Sequence, residues 1–265
     1  MPYSIVTDKP IGEAEPIFGN HERVMSERGT RLDVLFSRFR ISNTDWRYFD
    51  QNRVDDEHWK DLVRDARSHF LRYSKRIPTN VRYHFFFVTP SAIALAFGAV
   101  VGRDIRSKAY QYFGPGGFQA VFDPESRGEA YHSLRSPVSD YKQLAIEATG
   151  DPESQDVAVI LQFGHPLSPI GTTLGPSPRC LSVSHITHVG HLPGNSDWMA
   201  LAVELGSLIL AQVKLGKNVH VFVGLPTALA YAVGYIVGDH NRIMIYHHDK
   251  RRDQYIKVFS LNELA

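Results

Sequence analysis

A single cysteine, Cys180, stands among 265 residues. With no second thiol an internal disulfide is excluded, and a reducing, cytoplasmic setting fits. Long hydrophobic runs are missing too. The longest, residues 93–101, falls far short of the ~20 residues a bilayer-crossing helix needs. The opening stretch MPYSIVTDKPIGEAEP has no apolar core of the kind a secretory leader carries. Neither sign of charge dominates: 29 Lys and Arg against 28 Asp and Glu leave +1. Such a chain has no broad positive field to gather long nucleic acid. Low-complexity tracts are absent. So are GxGxxG after a strand, GxxxxGK[ST], GxSxG and HExxH. A dinucleotide cofactor, NTP hydrolysis, an α/β-hydrolase nucleophile and a zincin metal site thus have no support. The acidic residues are scattered, with no pair set for acid–base work. These absences favour binding over catalysis, without a cofactor.

What the chain does have is an internal repeat. Residues 84–102 read HFFFVTPSAIALAFGAVVG and residues 220–238 read HVFVGLPTALAYAVGYIVG, at a constant offset of 136. Nine of the nineteen positions are identical, where composition alone gives about one or two. The match continues at Arg106/Arg242 and Tyr110/Tyr246. Two fused similar units make a pseudo-two-fold molecule that can hold a ligand on its internal axis.

Each copy follows one plan. An apolar, β-branched and aromatic run (83–88; 219–223) predicts a strand buried on both faces. A proline corner leads into an Ala-rich helix (91–101; 227–237) closed by Gly102 or Gly238. These helices are apolar all round, so they belong in the interior. Ala94 and Gly98, like Ala230 and Gly234, lie four apart and let another backbone come close. A second strand (106–112; 242–247), a turn and a third strand (118–122; 255–259) follow. Strand–helix–strand predicts a right-handed parallel crossover, and the short turn an antiparallel edge hairpin. Upstream, helices over about 58–73 and 196–215 begin with Trp59/Trp198, and strands are expected at 32–39 and 157–163. The fold class is therefore α/β: two fused Rossmann-like units, each a mainly parallel sheet with an antiparallel edge hairpin. The divisions are an extension over 1–30, a first half over 31–150 and a second over 151–265, with 123–155 as the junction.

Ligands of open α/β sheets bind outside the carboxyl ends of the strands. Three pairs of corners qualify. Arg38 and Arg40 follow the first strand of one half, and Gly164-His165-Pro166 that of the other. Thr89-Pro90-Ser91-Ala92 and Leu225-Pro226-Thr227-Ala228 follow the repeated strands. Tyr110-Gln111-Tyr112 and Tyr246-His247-His248 end the next ones. Proline at a helix entry loses no hydrogen bond, and the amides there present partial positive charge to an anion. Tyr112, Tyr246, His247 and His248 have rings that can stack on bases. Plain helix starts and water-facing strand ends remain the alternative readings. His185, His188 and His191 have a spacing that can hold metal, but no carboxylate accompanies them, and polar loop histidines are the better reading.

The segments VHVFVGLPTALAYAVG, RIMIYHHD and QYIKVFSL resemble the C-terminal half of SAVED domains, which look like two fused CARF-like units. The resemblance runs from about residue 30 to the end and is most specific over 218–261. It implies a sensor of a cyclic tri- or tetranucleotide in bacterial antiphage defence, of the CBASS or type III CRISPR kind. The family usually carries its effector on the same chain. Residues 1–30 are too few for one and nothing follows Ala265 here, which implies an effector that is either a separate protein or lies outside these 265 residues. Head-to-tail self-association on ligand binding is a further expectation. A ring-nuclease-like phosphodiesterase, or a scaffold subunit binding another small anion, are the alternatives.

Overall fold

The computed structural model describes residues 3–7, 59–61, 63–64, 83–87, 89–101, 107–114, 117–124, 138–163, 174, 177–188, 192–249 and 254–264. Strand β2 (Tyr83–Phe87) leads through the first proline corner into helix α1 (Ser91–Val101). Strand β3 (Ser107–Tyr112) returns parallel to β2, and β4 (Phe118–Phe122) closes an antiparallel hairpin on it. The second copy repeats this order: β8 (Asn218–Gly224), α3 (Thr227–Val237), β9 (Ile243–Asp249) parallel to β8, and β10 (Gln254–Ser260) antiparallel to β9. Both predicted helices have the expected bounds, and both are buried on every side after their first residue. Gly238 closes α3 at φ 74°, its N–H donating to the Gly234 carbonyl at 2.8 Å.

The flanking strands differ between the copies. In the first sheet β1 (Tyr3–Thr7) lies antiparallel to β2, giving the order β1-β2-β3-β4. This strand comes from the stretch set aside as an extension. In the second sheet β6 (Asp156–Gln162) lies parallel to β8, β7 (Arg179–His185) parallel to β6, and β5 (Leu144–Thr149) antiparallel to β7. The order is β10-β9-β8-β6-β7-β5. β5 falls inside the expected junction, and β7 ends at His185, where a loop was the expectation. Both depart from the sequence reading for one reason. β5 is an edge strand whose short apolar stretch is broken by Glu147 and Thr149, and β7 alternates Leu181 and Val183 with Ser182 and Ser184, so neither shows a long continuous apolar run. Helix α2 (Trp198–Lys214) matches its expected span; of the upstream helix, 59–61 and 63–64 are helical. The expected strand at 32–39 and Gly102 lie outside the described residues.

One apolar core runs through both halves. Its centre is the crossing of α1 and α3, and the crossing is reciprocal. A Cβ added at Gly98 would strike the Tyr231 carbonyl and lie 2.9 Å from the Tyr235 amide nitrogen. One added at Gly234 would strike the Leu95 carbonyl and lie 3.0 Å from the Ala99 amide nitrogen. Gly98/Gly234, Leu95/Tyr231 and Ala99/Tyr235 are all pairs at the offset of 136. Each helix therefore presents the same surface to the other, and glycine is what lets the backbones touch. The helices also reach across: α3 packs on the first sheet and α1 on the second. The Tyr231 ring lies 5.0 Å from Phe85 and 5.1 Å from Phe87, and its hydroxyl donates to Ser107 Oγ at 2.9 Å.

Backbone atoms cannot swing aside as side-chain ends can. Gly98→Ala and Gly234→Ala should each cost about 3 kcal/mol, at the upper end of overpacking penalties. Denaturant unfolding checks this. A loss below about 0.5 kcal/mol, the size of an ordinary surface change, would show that the helices stand further apart than described.

Candidate functional site

The reciprocal crossing puts the entries of α1 and α3 side by side. Ser91 Oγ, at the first residue of α1, donates to the carbonyl of Leu225, just before α3. The two proline corners, 134 residues apart in sequence, thus touch directly. Each proline carbonyl accepts the first bonds of its own helix. Ile93 and Ala94 donate to Pro90 at 3.0 and 3.1 Å, and Ala230 donates to Pro226 at 2.9 Å. Pro226 sits at the N-cap with φ −55° and ψ 143° and supplies no side-chain cap. Among the described residues the amides of Ser91, Ala92, Thr227 and Leu229 have no acceptor. Thr89 Oγ1, shielded from solvent, has no hydrogen-bond partner either. Two helix N-termini, each carrying about half a positive charge, therefore meet at one place.

The strand ends frame this place unequally. Gln111, near the end of β3, reaches from the first half into the second: its Oε1 accepts the Ala228 amide at 3.3 Å. Its Nε2 donates to the Tyr112 carbonyl at 3.4 Å. His247 is the residue 136 positions on and lies on the matching, helix-facing side of β9, where its ring is 4.7 Å from Trp59. Tyr112 and His248 are one residue further along. They occupy the opposite faces of their strands, packed on Phe118 at 5.3 Å and Tyr255 at 5.2 Å. Of the residues singled out from the sequence, the structure gathers Thr89, Pro90, Ser91, Ala92, Leu225, Pro226, Thr227 and Ala228, and places His247 on their side of the sheet. It sets Tyr112 and His248 apart from them. Arg38, Gly164, His165 and Pro166 lie outside the described residues. The sequence placed Gln111 in a candidate corner but singled out its neighbour Tyr112 instead. Strand alternation from Ala109, a core residue, would have found it.

The second half also supports the first half's hairpin. Phe113 meets Trp198 edge-on at 5.7 Å, and a Cβ at Gly194 would strike the Gln119 side chain. Asp197 caps α2 by accepting the Ala200 amide at 3.0 Å, and Trp198 Nε1 donates to the Pro193 carbonyl at 2.9 Å. The hairpin that carries Gln111 thus rests on a fixed helix end.

Two histidine clusters lie elsewhere. His185 Nδ1 accepts the amides of Thr187 and His188, both at 3.2 Å, which assigns its proton to Nε2. Burial, then the His188 ring, lowers its pKa. Its lone pair holds a turn, and no three metal-ligating residues gather among the described ones. At the opposite end of the second sheet from the corners, His220 donates through Nε2 to Asp156 at 3.2 Å and accepts at Nδ1 from the Tyr246 hydroxyl at 3.0 Å. Burial, partly offset by Asp156, lowers the His220 pKa. Burial, then Asp156, raises that of Tyr246, which keeps the hydroxyl a donor.

The chain has the fold of SAVED/CARF-domain receptors. It matches the Acinetobacter baumannii Cap4 SAVED/CARF-domain containing receptor with a TM-score of 0.51 at 17% identity, over 80% of this chain and 43% of that one. The same receptor with the cyclic trinucleotide 2'3'3'-cAAA matches at 0.54, and with 3'3'3'-cAAA at 0.53. Both are 16% identical over 80% of this chain and 45% of theirs. The chain thus spans less than half the length of these structures. No family model and no curated protein matches the sequence. No helix among the described residues is long and apolar enough to cross a membrane.

A histidine whose folded pKa lies below its unfolded one stabilises the fold above the ordinary histidine range. That contribution is lost as pH falls through the range. His220→Asn should therefore flatten the decline of the thermal midpoint between about pH 7 and pH 5; His185, shifted the same way, leaves a residual slope. An unchanged slope would mean that His220 is not held neutral.

Proposed function

We propose that the chain is a sensor that binds a cyclic oligonucleotide of three or four nucleotides where its two proline corners meet. The observation that carries this reading is the contact of Ser91 with Leu225, which makes one seat of two helix entries. A cyclic oligonucleotide has one negative charge per nucleotide on a compact ring, with base faces around it. A near-neutral protein holds such a ligand with pointed amides rather than a basic surface. The amides of Ser91, Ala92, Thr227 and Leu229 are available for phosphate oxygens, and the small side chains of Ala92 and Ala228 let the ring approach. The likeness to receptors solved with cyclic trinucleotides supports the ring size.

The chain acts by binding, without catalysis. It regulates an effector, and the setting is bacterial antiphage defence of the CBASS or type III CRISPR kind, in the cytoplasm. Ligand binding favours one arrangement of the joined halves and drives head-to-tail association of copies.

Calorimetry against cyclic di-, tri- and tetranucleotides tests the reading. A tri- or tetranucleotide should bind, and the ring should be recovered intact after long incubation. No binding across the panel overturns the sensor, and ring opening makes the chain a phosphodiesterase. Pro226→Asp localises the seat. Aspartate is a favoured N-cap whose carboxylate accepts the very amides assigned to phosphate. The variant should fold at least as stably and bind at least tenfold more weakly, about 1.4 kcal/mol. Undiminished affinity would place the ligand elsewhere.

A further inference from the structure

Strand β5 ends the second sheet, and among the described residues nothing pairs with its outer side. The phase of its hydrogen bonds follows from one contact. The Ile186 amide donates to the Gln143 carbonyl at 2.9 Å, and the register continues as Leu144 opposite His185 through Thr149 opposite Cys180. Hydrogen-bonded pairs alternate along an antiparallel ladder. Residues 145, 147 and 149, like the Gln143 carbonyl, therefore turn their backbone groups toward β7. Leu144, Ile146 and Ala148 turn theirs outward.

Exposed edges are ordinarily guarded by lysine, proline, a bulge or a covering loop. This one is not. LAIEAT has neither lysine nor proline, its ladder runs without a register shift, and its last five residues are exposed on both faces of the sheet. Ile146 is 37% exposed. The strand is also held in place rather than frayed. The buried Glu204 carboxylate on α2 accepts the amides of Lys142 and Gln143 at 3.1 and 2.9 Å, and Ser207 Oγ accepts that of Val138 at 3.1 Å.

We propose that β5 pairs antiparallel with β5 of a second copy, about a two-fold axis through Ile146. The outward set of three maps onto itself in that register. Ile146 meets Ile146 of the second copy, and Leu144 meets its Ala148, so about six backbone hydrogen bonds form. Two exposed isoleucines cover one another, and Glu147 falls opposite Ala145, so no like charges face directly. This self-complementarity argues for a second copy over a foreign strand. The contact is isologous and closes at two chains. It needs no nucleotide, which separates it from ligand-driven head-to-tail association.

Sedimentation equilibrium of the full chain without nucleotide, at micromolar concentrations, should give the mass of two chains. Ile146→Pro removes an amide that serves only the outer edge and should give one chain with an unchanged circular dichroism spectrum. Ile146→Lys leaves the backbone alone, sets two cations on the axis and should do the same. Residues in a hydrogen-bonded pair lie about 5.5 Å apart, within disulfide reach. Ile146→Cys should therefore cross-link two chains on oxidation, while Ala148→Cys and the unaltered chain, with Cys180 alone, should not. A monomeric parent, or a dimer that survives both Ile146 variants, overturns the proposal. Equal cross-linking at 146 and 148 overturns the register.

Discussion

Two glycines, Gly98 and Gly234, let two buried helices touch backbone to backbone, and most of what this chain can do follows from that contact. A side chain at either position would occupy the space of a carbonyl oxygen on the other helix. Because the helices cross at equivalent residues, their N-terminal ends come equally near the crossing. Ser91 can then reach Leu225, and two proline corners from distant parts of the chain become one feature. A larger separation would leave two isolated helix starts, each with an ordinary set of unpaired amides.

In the proposed reading, the joined corners are how a chain of net charge +1 would hold a polyanion. Positive potential comes from helix ends and pointed N–H groups rather than from lysine and arginine. The two sides are not interchangeable, however. Gln111 already accepts the Ala228 amide at the α3 entry, whereas the position equivalent to Gln111 holds His247, packed against Trp59. Likewise α3 projects the large Tyr231 onto the first sheet, where α1 has Leu95 at the matching position. A ring of three nucleotides cannot obey two-fold symmetry, and a seat with unlike halves suits it.

Much of the interior was legible because its residues repeat a pattern. The strands around Phe85 and Phe222, the Ala-rich helices and the edge hairpins carry dense apolar signals, and the duplicated Pro-Ser/Thr-Ala corners marked two helix entries that the fold brings into contact. What escaped was set by tertiary context. β5 gives only a short apolar signal, Leu144 to Ile146, before Glu147, and buries Leu144 alone. β7 hides its alternation among serines and ends at His185, whose Nδ1 holds a turn. β1 is a short apolar run far upstream that gains meaning only from pairing with β2. At the site, the aromatic Tyr112 and His248 drew attention by type. The pleat of the strand instead puts Gln111 on the inner side, and side-chain identity alone gives no sign of which face a residue takes.

Amide hydrogen exchange, read with and without a saturating cyclic trinucleotide, tests most directly whether the two corners form one seat. The account predicts that amides across 89–94 and 225–230 gain protection together, at the same ligand concentration. Protection at one corner alone, or at neither while the ligand is bound, would contradict it.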